Sequence, residues 1–127
     1  MKKVLIGNTL FLILMVGLTF YGYKEVVHSA NPLLNKLNTL EKNIENNNWQ
    51  QASLTSKALQ KNWERTQNLW TLVLHHNRVD DLENSLTRIK KAVAIEEEAE
   101  ALIEIAVSKR LIRNVPNTEE IDIKNIF

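Results

Sequence analysis

The side chains that could do chemistry are few and lie close together. His75 and His76 are adjacent, and Asp80 and Asp81 follow. Imidazole and carboxylate are familiar ligands for zinc and other transition metals. The spacing does not suit that use. Neighbouring helix residues point about 100° apart, so His75 and His76 do not readily share one ion, and the helical metal motif sets its histidines at i and i+4. His76 is expected half-buried at a helix end, bonded to a terminal carbonyl or to Asp80 or Asp81, with His75 in solvent. A weak metal site at His76 is the alternative. Glu96, Glu97 and Glu98, with Glu100 and Glu104, read as a solvated helix face, since a calcium loop needs a turn with mixed oxygen ligands. Ser29, Ser53, Ser56, Ser85 and Ser108 lie in no nucleophile motif, and no glycine-rich loop cradles phosphate. The chain has no cysteine, so thiol chemistry and disulfides are excluded. No catalytic residue, metal-ligand set or cofactor motif emerges, and the chain reads as a non-enzyme.

The aromatic residues form a second pattern. Trp49, Trp63 and Trp70 are the only tryptophans, and all three fall on one heptad position. As core, each ring buries about 150–250 Å². As an interface, the row would anchor a partner helix. Heptad spacing favours core, with Trp49, nearest a helix end, leaving an edge exposed. Trp49, Trp63, Trp70, His76 and Asp80 are therefore the candidates for structural or partner contacts.

These residues are positioned by an all-α chain. Residues 4–23 carry no charge and span about 30 Å as a helix, the thickness of a bilayer core. Asn8 and Thr9 interrupt the apolar run near one end, and Phe20, Tyr21 and Tyr23 cluster at the other, where aromatic rings favour the interface. Lys2 and Lys3 precede the run and place the N-terminus in the cytoplasm by the positive-inside rule. The expected organisation is a cytoplasmic stub (1–3), a transmembrane signal-anchor (4–23), a juxtamembrane linker (24–31), an extracytoplasmic helical bundle (32–115) and an extended C-terminal strap (116–127). Cleavage near Val27-His28-Ser29 is the competing reading, but a cleaved signal has a shorter apolar region of about 7–15 residues. Without Lys2 and Lys3, 14 basic residues face 15 acidic ones. That balance argues against nucleic acid, which needs a basic face.

Within the bundle, Asn31-Pro32 reads as a helix start, with Pro in the first turn. Leu33, Leu37, Leu40 and Ile44 make its seam. Asn47 or Asn48 takes a left-handed or capping conformation before a helix from Trp49 to about His76. That helix carries the seam Trp49, Ala52, Ser56, Leu59, Trp63, Thr66, Trp70, Val73. Asp80 or Asp81 then caps a helix with the seam Val79, Leu82, Leu86, Ile89, Val93. The seam slips phase at Glu96–Glu98, which predicts a break. Ala101, Ile105, Ser108, Ile112 and Val115 form the last stripe, with Lys109, Arg110 and Arg113 in its final turn and Pro116 as its stop. Short connections favour antiparallel neighbours in a small bundle of three or four helices.

The segment "WTLVLHHNRVDDLENSLTRI" adds a resemblance. With Trp49, Trp70, His76, Asp80, Leu111, Pro116, Asn125 and Ile126, it resembles an uncharacterised bacterial family, a domain of unknown function, of short N-terminally anchored helical proteins. That family typically carries an acid directly after the histidine, where this chain has Asn77, which weakens any acid–histidine role. The resemblance implies no enzyme activity. It implies a cell-envelope protein and a multi-pass membrane protein as partner. The expected function is a membrane-anchored interaction module docking a larger membrane protein. The alternative is a small-ligand sensor acting through a partner, its ligand held between helices near Trp63 and Trp70. Heptad stripes serve intramolecular bundles and oligomers alike, so the oligomeric state stays open.

Overall fold

The computed structural model describes the backbone of residues 2–126 and the side chains of residues 2–22 and 24–115. It is built from four helices: α1 (Lys2–Glu45), α2 (Trp49–Val73), α3 (His76–Ala94) and α4 (Glu98–Ile126). No strand occurs among the described residues.

Helix α1 has two halves in different surroundings. Its first half is one helix long and apolar enough to cross a membrane. Its large apolar side chains are exposed among the described residues, from 49% at Met15 to 71% at Leu5. From Val26 onward a seam of Val26, Ala30, Leu33, Leu37, Leu40 and Ile44 is closed into the core. The alternating spacing of 4 and 3 residues keeps that seam on one face.

The helix does not start at Asn31-Pro32, and residues 24–31 are not a linker. Pro32 lies inside α1. A proline in a helix interior forfeits one backbone hydrogen bond and crowds the preceding turn, at about 3 kcal/mol. Here Pro32 faces solvent, while Val26, Ala30 and Leu33 on either side are buried. Burying such side chains yields about 1.5–3 kcal/mol each for the larger ones, enough to carry the helix through.

The turns follow local chemistry in two places of three. After α1, Asn47 takes φ 56°, and the Asn48 side chain accepts the Gln51 backbone N–H at 3.2 Å, capping α2. Between α3 and α4, Glu96 takes φ 56°, so the break at the acidic run is present. The α2–α3 turn differs from expectation. Helix α2 stops at Val73 instead of near His76, Leu74 is extended, and α3 begins at His76 with His75 as an extended N-cap that makes no side-chain capping bond. Neither Asp80 nor Asp81 caps α3, because both already lie within it. The buried Leu74 explains the earlier break: leaving the helix there turns its side chain into the core.

The helices form a closed ring in which α1 lies beside α2 and α4, and α3 beside α2 and α4; neither diagonal pair makes contact among the described residues. Contacts step steadily away from each turn. Along α1 and α2 they run from Asn43 with Thr55 to Ser29 with Trp70. Along α2 and α3 they run from Gln67 with Glu83 to Gln60 with Leu86. The α1–α2 pair closes at Gly22, where an added Cβ would lie 3.2 Å from the Val73 side chain. Beyond that point the large apolar side chains of α1 are exposed among the described residues. The extended strap expected over 116–127 is not found where the backbone is described: α4 stays helical past Pro116 to Ile126. That stretch contains no glycine to supply a stop, and Glu119 and Glu120 are good helix formers.

Candidate functional site

Two of the three tryptophans meet in the core. Trp63 and Trp70 pack edge to face, with ring centroids 5.5 Å apart and planes at 88°. This suits the ring quadrupoles and is worth about 0.5–1.5 kcal/mol beyond burial. Both are closed off, at 3% and 1% exposure, so no ligand space separates them. Trp70 has a polar tie as well. Its indole N–H donates to the Ser29 hydroxyl at 2.8 Å, and that hydroxyl donates to the Val26 carbonyl at 2.8 Å. Trp63 has no such tie, and its buried Nε1 has no hydrogen-bond partner among the described residues. Trp49 opens α2 at the far end of the bundle and is half-buried against the core. It borders a shallow groove with Leu54 and Val93.

A concavity lies beside Trp70. Trp70, Leu74 and Leu82 floor a cleft of about 340 Å³, and Arg78, Asp81 and Asn114 stand around it, with Leu111 and Val115 on the α4 side. Its size lies at the lower end of the range for a small-molecule site, about 300–1,000 Å³. It sits at the end of the bundle next to the apolar half of α1, since Trp70 is bound to Ser29.

His76 and Asp80 are not part of that cleft's lining. His76 heads α3 on the surface, not half-buried as expected, and its Nε2 lies 3.7 Å from an Asp80 carboxylate oxygen; the side chains are 79% and 52% exposed. They form an i, i+4 pair because α3 starts at His76. Among the described residues no three histidine or acidic side chains gather as a metal site, and an exposed two-residue pair lacks the third ligand that a zinc site needs.

A polar layer between α3 and α4 was not foreseen. The Ser85 and Ser108 hydroxyls, both fully buried, lie 2.8 Å apart. Ser85 also donates to the Glu104 carboxylate at 2.9 Å, and the other carboxylate oxygen of Glu104 accepts from Arg88 Nε at 2.9 Å. Glu104 is thus an interhelical strut and not a member of a solvated face, although Glu96, Glu97, Glu98 and Glu100 are exposed. Lys109 bonds Glu41 at 2.8 Å, linking α4 to α1. Because α4 continues to Ile126, Lys109 is not in its last turn. The sequence signals for this layer were Ser108 on the last apolar stripe, between Ile105 and Ile112, and Ser85 between Leu82 and Ile89.

The arrangement contains a pair of buried hydroxyls closed to solvent, and the carboxylate that accepts from one of them, Glu104, is tied to Arg88 as well. It can hold helices together and present a cleft; no acid–base or nucleophilic set is assembled among the described residues. A model of the protein family described as "Domain of unknown function (DUF4363)" matches residues 20–126. No curated protein and no solved structure matches the chain.

Proposed function

This chain belongs to the DUF4363 family, and on that premise we propose that it is a non-catalytic, membrane-anchored interaction module whose bundle lies outside the cytoplasm and docks a larger membrane protein. The observation that carries the reading is α1 itself. One helix passes, within about a turn, from the bare apolar stretch ending near Gly22 to the closed seam beginning at Val26. A helix with lipid-like exposure along one half and a protein core along the other joins anchor and bundle without a hinge. The bundle is then held at the membrane surface in a fixed orientation. Tethering of that kind makes encounter with a neighbouring membrane protein nearly intramolecular. Lys2 and Lys3 at the start of α1 support a cytoplasmic N-terminus.

The natural chain lacks cysteine, so single-cysteine variants give a clean test. In intact cells a membrane-impermeant maleimide is expected to label Gln50→Cys on the exposed surface of α2 and to spare Lys3→Cys. The protein should also stay with membranes during alkaline carbonate extraction. Labelling at position 3 alone, or extraction into the soluble fraction, would overturn the proposal.

A second reading, binding of a small ligand, draws on the cleft beside Trp70. Its apolar floor and flanking Arg78 and Asp81 suit a compact ligand with both apolar and polar parts. Indole emission from Trp70 is the reporter: a ligand entering the cleft should change it, and Leu111→Trp should block that change by filling the space.

A further inference from the structure

Helix α1 fixes the height of what packs on it. It is unbroken from Lys2 to Glu45, so the charge-free run of residues 4–23 and the first strut of the bundle are one helix. An added Cβ at Gly22 would lie 3.2 Å from the Val73 side chain. The last residue of α2 is therefore level with the end of the charge-free run. Leu72 is one residue away, about 1.5 Å in rise. It is 84% exposed, more than any large side chain in the apolar half of α1, where the maximum is 71% at Leu5. A lone exposed leucine is ordinary on a surface that meets water, but this one stands at the level where a spanning helix leaves the bilayer. Helix α4 lies across the ring from α2 and makes no contact with it among the described residues.

The surroundings of Leu72 suit lipid. Phe20 and Tyr21, at the same level on α1, are 70% and 66% exposed, and aromatic rings favour the membrane interface. From Arg65 to Val79 the chain has no acidic residue, so headgroup phosphates repel nothing on the turn. Of the acids nearest this level, Glu25 is half-buried, Asp80 pairs with His76 and Asp81 borders the Trp70 cleft. Lys24 lies two residues past Gly22, and Arg78 two residues past the start of α3. Each is about 3 Å in rise from the turn, and such cations are attracted to anionic headgroups. The opposite end of the bundle carries Glu45, Glu96, Glu97, Glu98 and Glu100, all exposed. We propose that the α2–α3 turn is a second membrane contact, with Leu72 set into the boundary between headgroups and acyl chains and with Lys24 and Arg78 at the level of the phosphates. This rests on the membrane-anchored reading above. A single span leaves the direction of its tilt open, and interfacial anchors set it. An apolar contact on the α2 side tilts α1 toward α2 and fixes which face of the bundle points away from the membrane.

The test uses the full chain, reconstituted alone in vesicles of phosphatidylcholine with phosphatidylglycerol, so that lipid is the only other partner present. A nitroxide is attached in turn to Leu72→Cys, to Met15→Cys within the span, and to Gln50→Cys, roughly 33 Å from Leu72 along α2. Its collisions are measured with oxygen, which concentrates in lipid, and with a water-soluble nickel chelate. The labels at 72 and 15 are expected to favour oxygen, and the label at 50 to favour nickel. A label at Thr71→Cys reports on a second change, Leu72→Glu, which alters an exposed side chain and leaves the core intact. That change should raise nickel collisions at 71 by at least about threefold, with the helical circular dichroism unchanged. A label at 72 as open to nickel as the one at 50, or a label at 71 indifferent to Leu72→Glu, would overturn the inference. So would spin–spin broadening at 72 that vanishes on dilution with unlabelled chains, since the turn would then meet a second copy. The label at 15 separates the two levels. Lipid at 15 with water at 72 sinks this contact but leaves the anchor; water at both sinks both.

Discussion

The Trp70 indole donates a hydrogen bond to the Ser29 hydroxyl across 41 residues of sequence, at 2.8 Å. It joins the last turns of α2 to α1 just below the bare apolar stretch. Trp70 is closed to solvent, so the bond is made in a poorly screened setting. Removing one partner strands the other at about 1–3 kcal/mol, whereas removing both costs less. Ser29→Ala and Trp70→Phe in the detergent-solubilised protein should each destabilise by about that amount. The double variant should fall short of their sum by at least about 0.5 kcal/mol. Denaturant unfolding followed by far-ultraviolet circular dichroism measures all three, and strict additivity would show the bond to be energetically idle.

Trp63 should behave oppositely at the polar end of its ring. Its buried N–H has no partner, so Trp63→Phe deletes an unsatisfied donor along with some ring volume. It is expected to cost at least about 1 kcal/mol less than Trp70→Phe. Trp63→Ala empties the site and should cost about 3–5 kcal/mol. Equal losses for the two phenylalanine variants would mean that the Trp63 N–H is in fact satisfied.

Glu104 joins Ser85 to Arg88 with its side chain only 12% exposed, while Arg88 is 51% exposed. Glu104→Ala removes the charged acceptor shared by Ser85 and Arg88, while Ser85 keeps the Glu104 backbone carbonyl at 3.2 Å, and should destabilise by about 1–2 kcal/mol. Arg88→Ala removes a mostly solvated partner and should cost under about 1 kcal/mol. The reverse order in thermal unfolding would place the strut on Arg88.

The two left-handed turn residues differ in tolerance. Asparagine accepts that conformation more readily than glutamate, whose Cβ is strained there by about 1–2 kcal/mol. Glu96→Gly should therefore stabilise, by about 0.5–1 kcal/mol, with the entropic cost of glycine offsetting part of the relief. Asn47→Ala should destabilise by a similar amount. A fall in melting temperature for Glu96→Gly would contradict the φ of 56°.

Pro32 faces solvent inside α1 and has no backbone N–H to give. Pro32→Ala restores one helical bond and should raise stability by up to about 3 kcal/mol. If the variant is no more stable, α1 is already relaxed around the proline.

Much of this architecture is legible in the sequence because the signals are local. The seams of α2, α3 and the first part of α4 repeat every three or four residues, and their positions from Ala52 to Val115 close on the core except Thr66 and Val73, which are half-buried. Asn47 and Asn48 mark a turn through their own side-chain chemistry, and the phase slip at Glu96 marks another. The apolar run of residues 4–23 declares its length and its lack of charge without any fold around it. Tertiary structure decided what competes with those local signals or depends on distant partners. Asn31-Pro32 looks like a helix start, yet α1 runs through it because Val26 and Ala30 are already buried below the apolar stretch. His76 looks like a helix end, yet it begins α3, since Leu74 gains more by turning inward. Glu104 and Lys109 look solvated until Ser85, 19 residues away from Glu104, and Glu41, 68 residues away from Lys109, meet them. Periodicity fixes which face of each helix is apolar; only the ring of helices sets which polar group lies opposite, because that depends on register between segments far apart in the chain.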